Sequence, residues 1–233
     1  MVAEANHGKT LETELDGIRY LRIPIKTRLI GPGDDIVEVV TTFAGDLVED
    51  GDILFVTEKI VAITQGRAYP VDSIVPRPLA ARLSKYVTKT PSGIGLGLPE
   101  TMEMALRECG TPRILLAAAV AAATKPFGRR GDFYRVAGPK ARGIDGPTGG
   151  TIPPYNSQVV LAPDRPGDVA VRLRAALAKP VDVLIVDIND FGGNVLGSTM
   201  DRSSNRVMER VLKDNPLGQG HESTPMGIIR RVV

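Results

Sequence analysis

Glu49-Asp-Gly-Asp-Ile-Leu-Phe-Val-Thr-Glu-Lys-Ile-Val-Ala-Ile-Thr-Gln-Gly-Arg67 passes from turn to strand to helix to turn. Glu49-Asp-Gly-Asp52 has the acidic and glycine residues of a turn. Ile53 to Val56 is a short apolar run and reads as a buried strand. Thr57 to Thr64 starts a helix that ends at Gly66. A second run, Val181 to Val186, is apolar apart from Asp182 and reads as a strand buried on both faces. It delivers Asp187-Ile-Asn-Asp-Phe-Gly-Gly193, so carboxylates stand where a buried strand ends. In open α/β-type sheets, ligands collect at strand ends.

Outward from these runs, other elements follow from period and punctuation. Residues 1–16 are polar, lack a clear period and read as a loose tail, with residues 17–233 as the folded domain, in one piece or two lobes. Ile18 to Ile25 is rich in β-formers and reads as a strand, whereas Ile36 to Phe43 fits helix or strand. Pro70 to Pro78 is extended, and Leu79 to Val87 is helical. Pro99 opens a helix with Leu98, Met102, Ala105, Leu106 and Cys109 on one face, a Glu103–Arg107 pair on the other, and Gly110 as its stop. Arg113 to Thr124 is apolar all round and reads as a buried helix. Phe133 to Ala137 and Val159 to Ala162 read as strands. Asp168 to Lys179 is an amphipathic helix, Ser203 caps a last helix, and Ile228-Ile229 lies in a terminal strand.

Composition limits the function classes. The 29 Lys+Arg and 27 Asp+Glu of the 233 residues leave a net charge of +2, which supplies no field for nucleic acid or an anionic membrane. One cysteine, Cys109, excludes an intrachain disulfide and fits a reducing, cytoplasmic setting. The longest apolar run, Ile114 to Ala123, is too short to span a bilayer, and the acidic N-terminal segment does not read as a signal peptide. With only two histidines, a structural zinc site is excluded by count. Aromatics are 4%, so the core is aliphatic. The 25 glycines and 18 prolines gather in loops, above all at 138–154, where binding and chemistry tend to sit.

Each candidate motif has a plainer alternative. Gly8-Lys9-Thr10 ends like a P-loop but has no room for the strand that must hold one, and reads as a chance match. Gly93, Gly95 and Gly97 precede a helix and would suit an anion or serve as a connector. Asp145, Asp187 and Asp190 are loop and strand-end carboxylates suited to a hard divalent cation, or to turns and caps. Cys109 reads as core packing, and His221 as a solvated loop residue.

Taken in order, several segments resemble one family. Ile23-Pro-Ile-Lys-Thr27, Gly33-Asp-Asp35, the 49–61 run, Gln65-Gly-Arg67, Gly143-Ile-Asp145 and Asp187-Ile-Asn-Asp-Phe-Gly192 are similar to the coenzyme F420-0:gamma-glutamyl ligase family over most of residues 18–200. The chain departs from the ligases at three places. It has Gln65 where they carry Glu, Arg142 within the segment before Asp145, and Gly193 where an Arg follows Phe-Gly. The segment Asn215 to Pro225 has no counterpart in the ligases.

The resemblance implies an α+β fold, a mixed and largely antiparallel sheet with packed helices, in a homodimer. It implies GTP (or ATP) and Mg²⁺ or Mn²⁺ used to join glutamate to a carboxylate of an acidic small-molecule acceptor through an acyl phosphate. On this chain Asp145, Asp187 and Asp190 would hold metal. Lys59 and Arg67, with Asp145, would be catalytic. Lys59, Gln65, Gly66, Arg67, Gly192 and Gly193 would meet the nucleotide. Two alternatives stay open: a binding or regulatory homologue that no longer ligates, and a metal-dependent phosphohydrolase using the same carboxylates.

Overall fold

The computed structural model describes residues 4–87, 95–129, 131–190 and 192–232. The chain begins with β1 (Glu12–Leu15), β2 (Ile18–Ile25), α1 (Ile36–Ala44), β3 (Ile53–Thr57) and α2 (Glu58–Thr64). Next come β4 (Ala68–Pro70), α3 (Pro78–Ser84), α4 (Pro99–Cys109), α5 (Thr111–Thr124), α6 (Asp132–Ala137), α7 (Pro139–Arg142) and β5 (Gln158–Val160). The described chain closes with α8 (Pro166–Ala176), β6 (Asp182–Asn189), β7 (Gly192–Ser198), α9 (Arg202–Val211) and β8 (Met226–Val232). These form two compact units, Met1–Gly66 with Pro163–Val233, and Arg67–Ala162. The fold class is α+β, as expected. Among the described residues no helix is long and apolar enough to cross a membrane.

The first unit is built on a sheet of order β1-β2-β8-β3-β6-β7. Among the described residues, only β3 and β6 pair in parallel. Side chains alternate across a sheet, so each central strand feeds two cores. Leu54, Val56, Val183, Ile185, Met226 and Ile228 pack on one face with residues of α1 and α8. Ile53, Phe55, Leu184, Val186 and Ile229 pack on the other with Met208, Val211 and Leu212 of α9 and its end. A fully buried side chain such as Phe55 contributes about 1.5–3 kcal/mol. The continuous apolar runs are thus strands covered on both sides.

The Asp-Gly-Asp turn pins the start of this sheet. The buried carboxylate of Asp52 accepts from the Glu49 amide at 2.7 Å. It also takes both arms of Arg230 on β8, at 2.9 and 2.7 Å. Gly51 sits at φ 84°, where a side chain would be strained.

Residues 12–15, part of the segment read as a loose tail, form β1 on the edge of β2. The anchor is Arg22, fully buried on β2. Its guanidinium donates to the carbonyls of Thr10 (3.1 Å), Glu12 (3.3 Å) and Val211 (3.0 Å), and pairs with the Asp214 carboxylate. A buried guanidinium needs acceptors, and the N-terminal segment supplies them. Asp201, not Ser203, caps α9, accepting from the amides of Ser203 and Ser204.

The second unit packs α3 to α7 around a small antiparallel pair, β4–β5. Two sequence readings fail here. Phe133 to Ala137 is helix, not strand, set between Gly131 (φ 81°) and Gly138 (φ 95°). A short apolar run cannot separate the two by period alone. α5 is not fully buried: Ile114 and Ala117 face the core, while Leu115 is 42% and Leu116 58% exposed. Its alanines raise helix propensity without requiring burial on every side. Gly93, in the proposed glycine loop, lies outside the described residues, as does Phe191.

Candidate functional site

Each unit places part of the expected site. In the first, β3 and β6 run in parallel, with Thr57 opposite Val186. Helix α2 starts where β3 stops, and β6 carries on into Asp187. Glu58 and Lys59 of α2 therefore stand at the same sheet end as Asp187-Ile-Asn189. Strand alternation puts Asp187 on the face of Val183 and Ile185, whereas Ile188 joins the α9 side. Lys59 and Asp187 are only partly covered.

The β6–β7 hairpin pairs Asn189 with Gly192 and Ile188 with Gly193. At Gly192, φ is 133° and a Cβ would meet nothing within 4 Å, so the backbone there is bare. Gly193 has a packing reason for being glycine: a Cβ would lie 2.5 Å from Ile188 Cγ2 and 2.8 Å from the Asp187 carbonyl oxygen.

Asp190 lies in the turn after β6. Its Oδ1 accepts from Lys9 Nζ at 2.7 Å and from Asn215 Nδ2 at 3.3 Å. Gln65, at the end of α2, spends its amide on main chain: Nε2 donates to the Asp164 carbonyl (2.9 Å), and Oε1 accepts from the Asp164 amide (2.7 Å). A glutamate at 65 would keep the second bond and lose the first, because a carboxylate does not donate. Gly66, which ends the turn after α2, is at φ 70°.

In the second unit, Val160 of β5 pairs with Ala68 on one side and bridges Asp145 on the other. The Asp145 amide donates to Val160 O at 2.8 Å, and its carbonyl accepts from Val160 N at 3.0 Å. Arg67, next to Ala68, and Asp145 thus belong to one three-stranded patch. Arg67 donates to the Ala162 carbonyl and to Glu108 Oε1, both at 2.7 Å. Lys140 reaches the same carboxylate oxygen at 3.0 Å. Sequence reasoning missed Glu108 and Lys140; both are ordinary surface-type residues until the fold sets them beside Arg67.

Helix α4 carries two such clustered carboxylates. Glu103 is buried, with Arg77 at 2.9 Å and Arg107 at 2.8 Å. Burial alone would raise both Glu103 and Glu108. The cations outweigh it, and both are held below the ordinary carboxylate value. For Glu103 the charged form therefore favours the folded state. Its contribution is present above the ordinary value of 4.5 and is lost as pH falls through the lower folded value. Glu103→Gln should cost about 1–2 kcal/mol at pH 7. It should also flatten the fall in stability below about pH 4.5, read by urea unfolding at several pH values. Burial, then the Glu108 charge, pushes the Cys109 thiol up, so it stays protonated and inert.

Among the described residues of either unit, no three His, Cys, Asp or Glu side chains gather as a ready-made metal cage. Mg²⁺ is characteristically bound through one or two carboxylates together with phosphate oxygens and water. Asp145, Asp187 and Asp190 are all hard oxygen donors of that kind, and Asp190 pairs with the Lys9 ammonium.

Comparison with known proteins gives one consistent answer. The family model described as F420-0:Gamma-glutamyl ligase matches residues 24–196. The chain is similar to the coenzyme F420:L-glutamate ligase of Methanopyrus kandleri, 30% identical over 86 residues, which are 37% of this chain and 33% of that protein. It is also similar to the protein of the same name from Methanothermobacter thermautotrophicus, 32% identical over 79 residues, 33% of this chain and 31% of the relative. The matched stretch spans about a third of each relative's own length.

Proposed function

From the premise that this chain belongs to the F420-0:gamma-glutamyl ligase family, we propose that it is a nucleotide- and metal-dependent amide-bond ligase. It adds glutamate or a similar amino acid to an acidic small-molecule acceptor such as a coenzyme F420 precursor. One observation carries the reading most: Lys59 and Asp187 come to the same end of the parallel pair β3–β6. A cation and a carboxylate there suit a phosphate-bearing ligand.

The chemistry proceeds by transfer of phosphate from GTP or ATP to the acceptor carboxylate, then attack of the amino acid's amine on the acyl carbon with loss of phosphate. Lys59 offsets charge on the phosphate oxygens. Arg67, across β5 from Asp145, would meet the acceptor's acidic groups, exchanging its Glu108 contact for them. The bare backbone at Gly192, before Gly193, admits a phosphate closely. Asp145 and Asp187 would hold Mg²⁺ or Mn²⁺, which when bound supplies Lewis-acid stabilisation of phosphate charge. The positioning of the amine against the acyl carbon provides the rest of the rate. On this reading the protein acts in the cytoplasm as a homodimer.

A non-ligating homologue is the second reading, favoured by one observation: Gln65 stands where the ligases carry glutamate, and its amide is committed to Asp164. Incubation with GTP or ATP, Mg²⁺ or Mn²⁺, glutamate and candidate acceptors separates them. The expected result is a mass gain of one glutamyl unit on an acceptor. Phosphate release without acceptor points to a phosphohydrolase instead. No nucleotide binding by calorimetry, with or without metal, overturns both enzyme readings.

A further inference from the structure

Lys9 is mostly covered, with its side chain 17% exposed, although Asp190, which it pairs with, is 47% exposed. Its ammonium lies 2.7 Å from Asp190 Oδ1 and 2.9 Å from the Asp214 carbonyl oxygen. The segment that presents it is fastened in advance. The Lys9 amide donates to the Asn6 carbonyl at 2.9 Å. The Asn6 side-chain amide donates to the Leu217 carbonyl at 2.7 Å and to Thr224 Oγ1. Asn215, buried and at φ 50°, adds a donor to the same Asp190 oxygen. Two separate stretches, 6–9 and 214–224, thus converge on the Asp190 carboxylate, and Oδ1 accepts from both. A lysine held this way loses little further freedom on pairing, so the pair is built rather than incidental. A divalent ion bound at this oxygen would stand beside the ammonium and be repelled by it.

We propose that the Lys9 ammonium is the resident counter-ion of Asp190, keeping divalent metal off this carboxylate. The proposal rests on the metal-dependent reading above, but its test separates the two. Asp190 then contributes no metal ligand, and the Gly8-Lys9-Thr10 segment, which is no P-loop, has a role at the hairpin tip.

The test is calorimetric titration of Mn²⁺ alone into the full chain and its variants. Asp190→Asn should bind Mn²⁺ within twofold of the parent. Lys9→Met should bind at least threefold tighter, since a carboxylate is released. Adding Asp190→Asn to Lys9→Met should remove that gain. Lys9→Arg, which keeps the charge, should behave as the parent. Lys9→Gln serves in place of Lys9→Met should the latter not fold. Weakened Mn²⁺ binding in Asp190→Asn alone, or an unchanged affinity in Lys9→Met, overturns the proposal. A parent that binds no Mn²⁺ beside a Lys9→Met variant that does would support the counter-ion while counting against the metal-dependent ligase.

Discussion

Gly197→Ala should cost about 3 kcal/mol or more, which for a chain of this size lowers the unfolding midpoint by about 6–12 °C. Gly197 lies on β7 opposite Ile185, and it is buried. An added Cβ would sit 2.3 Å from both the carbonyl carbon and oxygen of Pro166, and 2.5 Å from the Gly167 nitrogen. Those are main-chain atoms in the first turn of α8, so no rotamer change relieves the contact. Either α8 shifts off the sheet or β7 bends, and the core that α8 covers with Val169, Ala170 and Leu173 opens. Gly33→Ala is the control: a Cβ there meets nothing within 4 Å, and its effect should stay within about 0.5 kcal/mol. Urea and thermal unfolding measure both. A Gly197→Ala protein as stable as the parent would mean that α8 does not start against β7.

On the proposed ligase reading, Asp145→Asn should remove about two orders of magnitude of turnover, with Mn²⁺ affinity down at least tenfold. The main-chain hold on this residue is kept. Both its amide and its carbonyl bond to Val160, and asparagine keeps both. What changes is one negative charge and one hard oxygen donor. A divalent ion bound with few protein carboxylates depends strongly on each of them. Calorimetry with Mn²⁺ and the glutamyl mass-gain assay read the functional side. Unchanged metal affinity would take Asp145 out of the metal site.

Much of the architecture is legible along the chain because its cause is local. Ile53 to Val56 and Val183 to Val186 announce doubly covered strands by having no polar residue, and they pair side by side as β3 and β6. The Pro99 start and Gly110 stop of α4 are equally local signals. The readings that failed did so where local chemistry is ambivalent. Phe133-Tyr-Arg-Val-Ala137 suits either period, and two flanking glycines in left-handed backbone decide for a helix. Ser203 and Asp201 are both good caps, and the choice rests on which oxygen reaches the amides. The polar N-terminal segment carries no signal of its own, since what orders it is a buried guanidinium on the next strand.

The same division runs through the candidate site. A carboxylate at the end of an apolar run is visible in Asp187, as is a lysine at the head of a helix in Lys59, because strand ends and helix starts are written in neighbouring residues. The partner of each polar group is not. Asp187 and Asp190 look alike in the sequence, three positions apart. Alternation sets Asp187 on the Val183 and Ile185 side, while the turn takes Asp190 to Lys9, 181 residues away. Glu108 looks like a solvated helix residue until Arg67 and Lys140 close on it. The sequence by itself determined most of the elements and the family, because hydrophobic period and turn chemistry act over a few residues. Only the tertiary structure decided which carboxylates are already neutralised by a cation, because Coulomb attraction and hydrogen bonding depend on distance in space and take no account of distance along the chain.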